Sequence, residues 1–155
     1  ILIRRNSAVQ EKRQLNNMSK EIIIKKLEQI RGLIGELKVL LSKPFDEFIQ
    51  SVISIRAAER DFQLIVDIAS DINTHILIER GEQTPDSYRQ SFQHLQKIGV
   101  LHGEMAEKLI ESARIRNILV HEYDFEEDYK KFYDSVLSVL PFYEEYIKIV
   151  YAFVE

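Results

Sequence analysis

The stretch from Asp46 to Arg80, DEFIQSVISIRAAERDFQLIVDIASDINTHILIER, decides the fold. Ile49, Val52, Ile55, Phe62, Ile65, Ala69, Ile72 and Ile76 lie along it at the three- and four-residue steps of one helical stripe. Gly81 supplies the stop, as glycine does when a helix ends in the left-handed region. At ~1.5 Å per residue the 35 residues would extend ~50 Å, so the helix needs neighbours along its whole length.

Outward from this stretch the chain supplies those neighbours. Before it, Ser19 is an N-cap candidate. Ile23, Leu27, Ile30, Ile34, Leu37 and Leu41 then form a second stripe that ends near Ser42, ahead of Pro44. After it, Glu82 to Asp86 reads as a turn, and a short helix carries Tyr88, Phe92 and Leu95 to about Lys97, where Gly99 breaks it. A further helix from about His102 to Leu119 turns Met105, Leu109 and Ala113 inward. Beyond Asp124 a last helix carries Phe132, Val136, Val139, Phe142, Tyr146, Ile149 and Phe153, with a kink or break expected near Leu137–Leu140 because Pro141 falls inside the pattern. No strand-like alternation occurs. The expected architecture is all-α, a four- to five-helix up-down bundle with one short connecting helix.

The 155 residues allow one domain with a real core. Residues 1–17 lack a sustained apolar period and read as an upstream or expression-derived extension, leaving residues 18–155 as a single helical domain. With no cysteine there is no disulfide framework and no thiolate metal site. No two of the four histidines stand one helical turn apart, so no metal is expected, nor any other cofactor. No apolar run approaches the ~20 residues that span a bilayer, and a cytoplasmic protein is the simplest reading. The formal charge is −4. Residues 1–17 hold four basic groups and one acid, so the remaining 17 basic and 24 acidic groups give residues 18–155 a net −7. Such a surface repels phosphate as a whole, and any contact with RNA must use a local basic site.

One segment carries the ingredients of such a site: Arg116-Asn-Ile-Leu-Val-His121-Glu-Tyr123. An arginine is permanently charged and offers a planar fork matched to phosphate oxygens, while a histidine titrates near neutrality and serves as base or acid. Five residues apart, the two differ by ~140° around an ideal helix. They can line one pocket only if the helix ends near Val120 or a second subunit completes the site. Asn117 can hydrogen-bond locally, and Tyr123 can contact phosphate or stack on a base. By spacing alone, a histidine near a helix end is more often a solvated group interacting with the helix dipole. His75 reads as a semi-buried histidine, Asp67 and Asp71 as a solvated face, and Arg56, Glu59 and Arg60 as pairs along one helix.

The longer string resembles the Arg-x4-His-x-Tyr signature of the HEPN superfamily, specifically its HepT-like toxin branch. Arg56-Ala-Ala-Glu59-Arg60, the block from Asp67 through Asp71 to His75, and the block from Pro85 through Tyr88 to Phe92 resemble the same branch, in order, over roughly residues 20–150. The resemblance implies a metal-independent RNA endonuclease toxin of a HepT/MntA-type, type VII-like toxin–antitoxin pair. Arg116 and His121 would be the catalytic pair, supported by Asn117 and Tyr123. Tyr123 would receive AMP from a minimal nucleotidyltransferase antitoxin, and the toxin would be a homodimer with RNA as substrate. The competing expectation is a non-catalytic helical module that binds nucleotide or protein, which the net −7 and the acids after His121 favour.

Overall fold

The structure, a computed structural model, describes residues 2–121 and 128–155, with side chains for all of these except 2–5, 15, 16, 18 and 121. The described residues form helices α1 (Leu2–Leu40), α2 (Phe45–Phe48), α3 (Val52–Glu79), α4 (Tyr88–Lys97), α5 (Gly103–His121) and α6 (Tyr129–Val154), and contain no strand. Four long helices, a single turn and a short connector make the expected all-α bundle.

Cross-helix pairs fix the directions. Lys26 meets Asp71 and Glu36 meets Asp61, so α1 and α3 run antiparallel. Lys38 pairs with Glu144, and the Tyr133 hydroxyl donates to carbonyls at Leu41 and Lys43, so α6 is antiparallel to α1. Phe62 stacks edge-on with Phe132, and Tyr146 donates to Ala69, so α3 and α6 run in the same sense. That is up-down-up-down order, with one core running from Ile23, Leu27 and Ile30 through Phe62, Ile65 and Ile72 to Phe132, Tyr143 and Tyr146.

The stripe read as one helix from Asp46 is in fact two. Phe48 turns into the core at 1% exposure, Ser51 adopts an extended backbone, and its hydroxyl accepts from the Ser54 N–H at 3.1 Å to cap α3. α2 seats against Tyr133, whose ring lies 5.5 Å from Phe45 and 5.4 Å from Phe48. The same Tyr133 hydroxyl satisfies carbonyls just beyond α1, groups that a helix end otherwise leaves orphaned.

The break expected before Pro141 does not occur: α6 is helical throughout. Proline removes the N–H that would bond the carbonyl four residues back, at Leu137. Leu137 and Pro141 are both exposed, so water can satisfy that carbonyl, while Val136, Val139, Leu140 and Tyr143 stay buried and hold the helix down. Gly81 (φ 73°) and Gly99 (φ 85°) supply the left-handed stops, with the N–H groups of Glu82 and Val100 bonding back to Leu77 and Leu95 at 2.9 Å each.

α1 also begins earlier than the stripe starting at Ser19. It is helical from Leu2, but residues 6–14 are exposed, and burial begins only around Ile23. Among the described residues no helix is long and apolar enough to cross a membrane.

At the seam of α1 and α3, Asp61 sits against Glu36, and burial together with that second carboxyl raises its pKa to about 6. A folded-state pKa above the ordinary 3.8 means that the native chain binds more protons than the unfolded one between those values, so stability falls as pH rises through this range. Asp61→Asn is therefore expected to stabilise the protein at pH 8 and to change little at pH 4. Because Asp61 is partly solvated the gain should be at most about 1 kcal/mol, read as the urea midpoint at the two pH values.

Candidate ribonuclease site

Arg116 lies on α5, and three helices meet around its head group. Its Nε donates to Asp67 Oδ1 of α3 at 2.8 Å. Its Cζ lies 4.4 Å from the centre of the Tyr88 ring, which α4 brings in as its first residue. The remaining contacts are longer: one terminal nitrogen donates to Asn117 Oδ1 at 3.3 Å, the other to the Tyr88 hydroxyl at 3.5 Å. The Arg116 side chain is 15% exposed and that of Asp67 26%, so the pair faces an opening without being fully hydrated. Burial, reinforced by the negative charge of Asp67, pushes the Tyr88 phenol above its ordinary pKa against the opposing effect of Arg116, and Tyr88 stays a neutral hydroxyl at physiological pH.

Local sequence explains why Tyr88 arrives there. Ser87 caps α4 by accepting from the Gln90 N–H at 3.1 Å, and Gln90 Oε1 accepts from the Asp86 N–H at 2.7 Å, a reciprocal start signal. One turn on, the buried Ser91 donates to the Tyr88 carbonyl at 2.7 Å and accepts from Asn73 Nδ2 at 3.1 Å and from Ser70 at 3.2 Å. Asn73 Oδ1 in turn accepts from the Tyr146 hydroxyl at 2.6 Å. This chain of buried hydrogen bonds ties α4 to α3 and α6 and sets the position of the Tyr88 ring. No buried side-chain polar atom among the described residues lacks a partner.

Of the residues singled out in the sequence, Arg116 and Asn117 are together and in contact. His121 belongs to α5, and the point at which that helix ends after Val120 falls outside the described residues. Its side chain, and Tyr123 altogether, lie outside the described residues. Asp67, read from sequence as part of a solvated face, is the carboxylate that holds Arg116, whereas Asp71 faces Lys26 at 3.5 Å. Tyr88, read as an apolar contributor, is the other missed residue. Both lie within the blocks quoted for the HepT-like resemblance, which was their only signal. Among the described residues no group of three or more histidines and acids could hold a metal ion.

A helical bundle that presents a fixed, partly desolvated guanidinium where three helices meet is built to receive an anionic oxygen such as that of a phosphodiester. Comparison with known proteins gives this class its family. The family described as Ribonuclease HepT-like matches residues 23–150, and the chain belongs to it. A curated relative, the tRNA nuclease HepT of Aphanizomenon flos-aquae (strain 2012/KM1/D3), is 34% identical over 110 residues, covering 71% of this chain and 75% of the relative. The fold is shared with the tri-AMPylated Shewanella oneidensis HEPN toxin solved in complex with its MNT antitoxin, at a TM-score of 0.77 and 24% identity over 84% of this chain and 97% of that one. It is shared too with the Bacillus subtilis cytosolic protein YutE, of unknown function, at a TM-score of 0.68 and 20% identity over 84% of this chain and 90% of that one.

Truncating the hub of the polar network tests its weight. Asn73→Ala would leave Ser91 and Tyr146 each short of a buried partner, and a loss of about 2–3 kcal/mol in unfolding free energy is expected by urea denaturation.

Proposed function

We propose that the chain is a metal-independent RNA endonuclease toxin in which Arg116 and His121 are the catalytic residues. The observation that carries this reading is the Arg116 head group, held by Asp67 and covered by Tyr88 on the helix that also carries His121, inside a family match spanning residues 23–150. Cleavage of RNA without a metal requires a base for the ribose 2′-hydroxyl, an acid for the departing 5′-oxygen and a fixed cation for the charge gathering on phosphorus. In this reading His121 moves protons and Arg116 is the cation. A homodimer would bring a second histidine, so that one acts as base and the other as acid.

Tyr123 is the proposed point of control, two residues past His121. Transfer of AMP to its hydroxyl by a minimal nucleotidyltransferase antitoxin would place bulk and negative charge where the RNA phosphate must sit. The Shewanella oneidensis HEPN toxin that shares the fold is itself tri-AMPylated in its complex with an MNT antitoxin, which supports this mode of control. Asn117 is assigned a supporting role beside Arg116. The catalytic unit is residues 18–155, and the protein acts in the cytoplasm. The net −7 of residues 18–155 favours one alternative, a non-catalytic module that binds nucleotide or protein.

Purified protein incubated with RNA in the presence of a chelator separates the two readings. Arg116→Ala and His121→Ala should each reduce cleavage by roughly 100-fold or more, and equal cleavage by wild type and His121→Ala would remove the catalytic assignment. With the nucleotidyltransferase and ATP, intact-mass measurement should show whole AMP units added to the wild type and none to Tyr123→Phe. AMP found on Tyr123→Phe would place the modification elsewhere.

A further inference from the structure

We propose that Asp67 is a positioning residue for the reaction, fixing the Arg116 guanidinium so that its terminal edge, and not its Nε side, meets the scissile phosphate. The proposal rests on the ribonuclease reading and assigns a role to a residue which that reading leaves without one.

A guanidinium has five N–H donors in one plane and can grip phosphate through either of two forks, the Nε side or the end formed by the two terminal nitrogens. Asp67 Oδ1 occupies Nε at 2.8 Å, within the ordinary range of a strong charge-assisted bond, which closes the side fork. The Tyr88 ring, 4.4 Å from Cζ, covers one face and fixes the plane. A bond along one edge and a ring across one face together leave the head group little rotational freedom. Among the described residues the terminal nitrogens carry only the two long contacts, 3.3 Å to Asn117 and 3.5 Å to the Tyr88 hydroxyl. Neutral acceptors at such distances hold weakly, and an anionic phosphate oxygen displaces them at little cost. The end fork is thus the more weakly held edge, with its plane already set.

Asp67 brings an anion close to the substrate phosphate, and that repulsion is the cost of the arrangement. Orientation offsets it, since misplacing a reacting partner by ~1 Å can cost on the order of 100-fold in rate. A purely structural ion pair between α3 and α5 would instead lower stability on removal while leaving turnover by the folded protein unchanged. Turnover therefore discriminates between the roles.

The experiment is steady-state RNA cleavage by the full chain at equal concentrations of folded protein, verified by thermal unfolding. Asp67→Ala should lower kcat by roughly 10- to 100-fold with KM nearly unchanged. Asp67→Asn, whose amide oxygen still accepts from Nε, should recover most of the lost kcat. Asp67→Leu, which fills the volume without an acceptor, carries the same expectation as Asp67→Ala if the latter is unstable. In a second arm, added guanidinium ion should partly restore cleavage by Arg116→Ala, because the Asp67–Tyr88 cradle remains. It should not restore Arg116→Ala/Asp67→Ala. Wild-type kcat in Asp67→Ala or Asp67→Leu, a loss confined to KM, Asp67→Asn as impaired as Asp67→Ala, no rescue of Arg116→Ala, or equal rescue of both backgrounds overturns the proposal. An Arg116→Ala protein that cleaves at the wild-type rate overturns the ribonuclease reading itself, which keeps the two failures distinct.

Discussion

A guanidinium left 15% exposed has given up much of its hydration, and the carboxylate of Asp67 at 2.8 Å is what makes that position tenable. Removing either partner would strand a charge in a poorly solvated place, so the pair constrains α3 and α5 to a fixed mutual position. Tyr88 adds a third element, since its ring must stand over the guanidinium while its hydroxyl stays within reach of the same head group. The site is thus a junction of α3, α4 and α5, and the remainder of the bundle holds that junction in place.

Holding it requires polar chemistry inside the core. α4 has only ten residues, too few to be held by its own helical stability, and Phe92 and Leu95 give it a narrow apolar footing. Ser91, Asn73 and Ser70 supply the rest, with Tyr146 bonding the network to α6. Apolar contacts alone would tolerate small sliding of so short a helix. A network in which Ser91 must meet both the Asn73 amide and its own Tyr88 carbonyl does not. Ser112 and Tyr143, 2.6 Å apart, make a comparable buried link between α5 and α6.

The acidic surface and the proposed chemistry are compatible on the same ground. A net −7 over residues 18–155 offers RNA no general attraction, so binding must depend on a few oriented donors. Arg116 is paired with Asp67 in the free protein, which leaves the pair close to neutral. What it offers phosphate is geometry more than net charge, and a modification that adds charge nearby would act strongly on so local a site.

The sequence by itself determined the bundle. Stripes such as Ile23–Leu27–Ile30 and Ile65–Ala69–Ile72 recur at the helical period, and a stripe can be buried only against another, so the long helices, their order and the fold class were legible. The start of α4 was legible too, from the turn at Glu82–Asp86 followed by Tyr88, and the roles proposed for Arg116 and His121 rest on the string that holds them. Besides the earlier start of α1, two boundaries differ for reasons that lie in tertiary packing. Pro141 is tolerated because its face of α6 is solvated, and the stripe beginning at Asp46 divides because Phe48 turns in and Ser51 caps the next helix. Asp67 and Tyr88 stand 49 and 28 residues from Arg116, and no local period distinguishes a carboxylate facing water from one facing a guanidinium. Only the packing of α3, α4 and α5 decided which acid and which ring would meet the arginine, because that choice depends on the mutual rotation of three helices, which no single helix encodes.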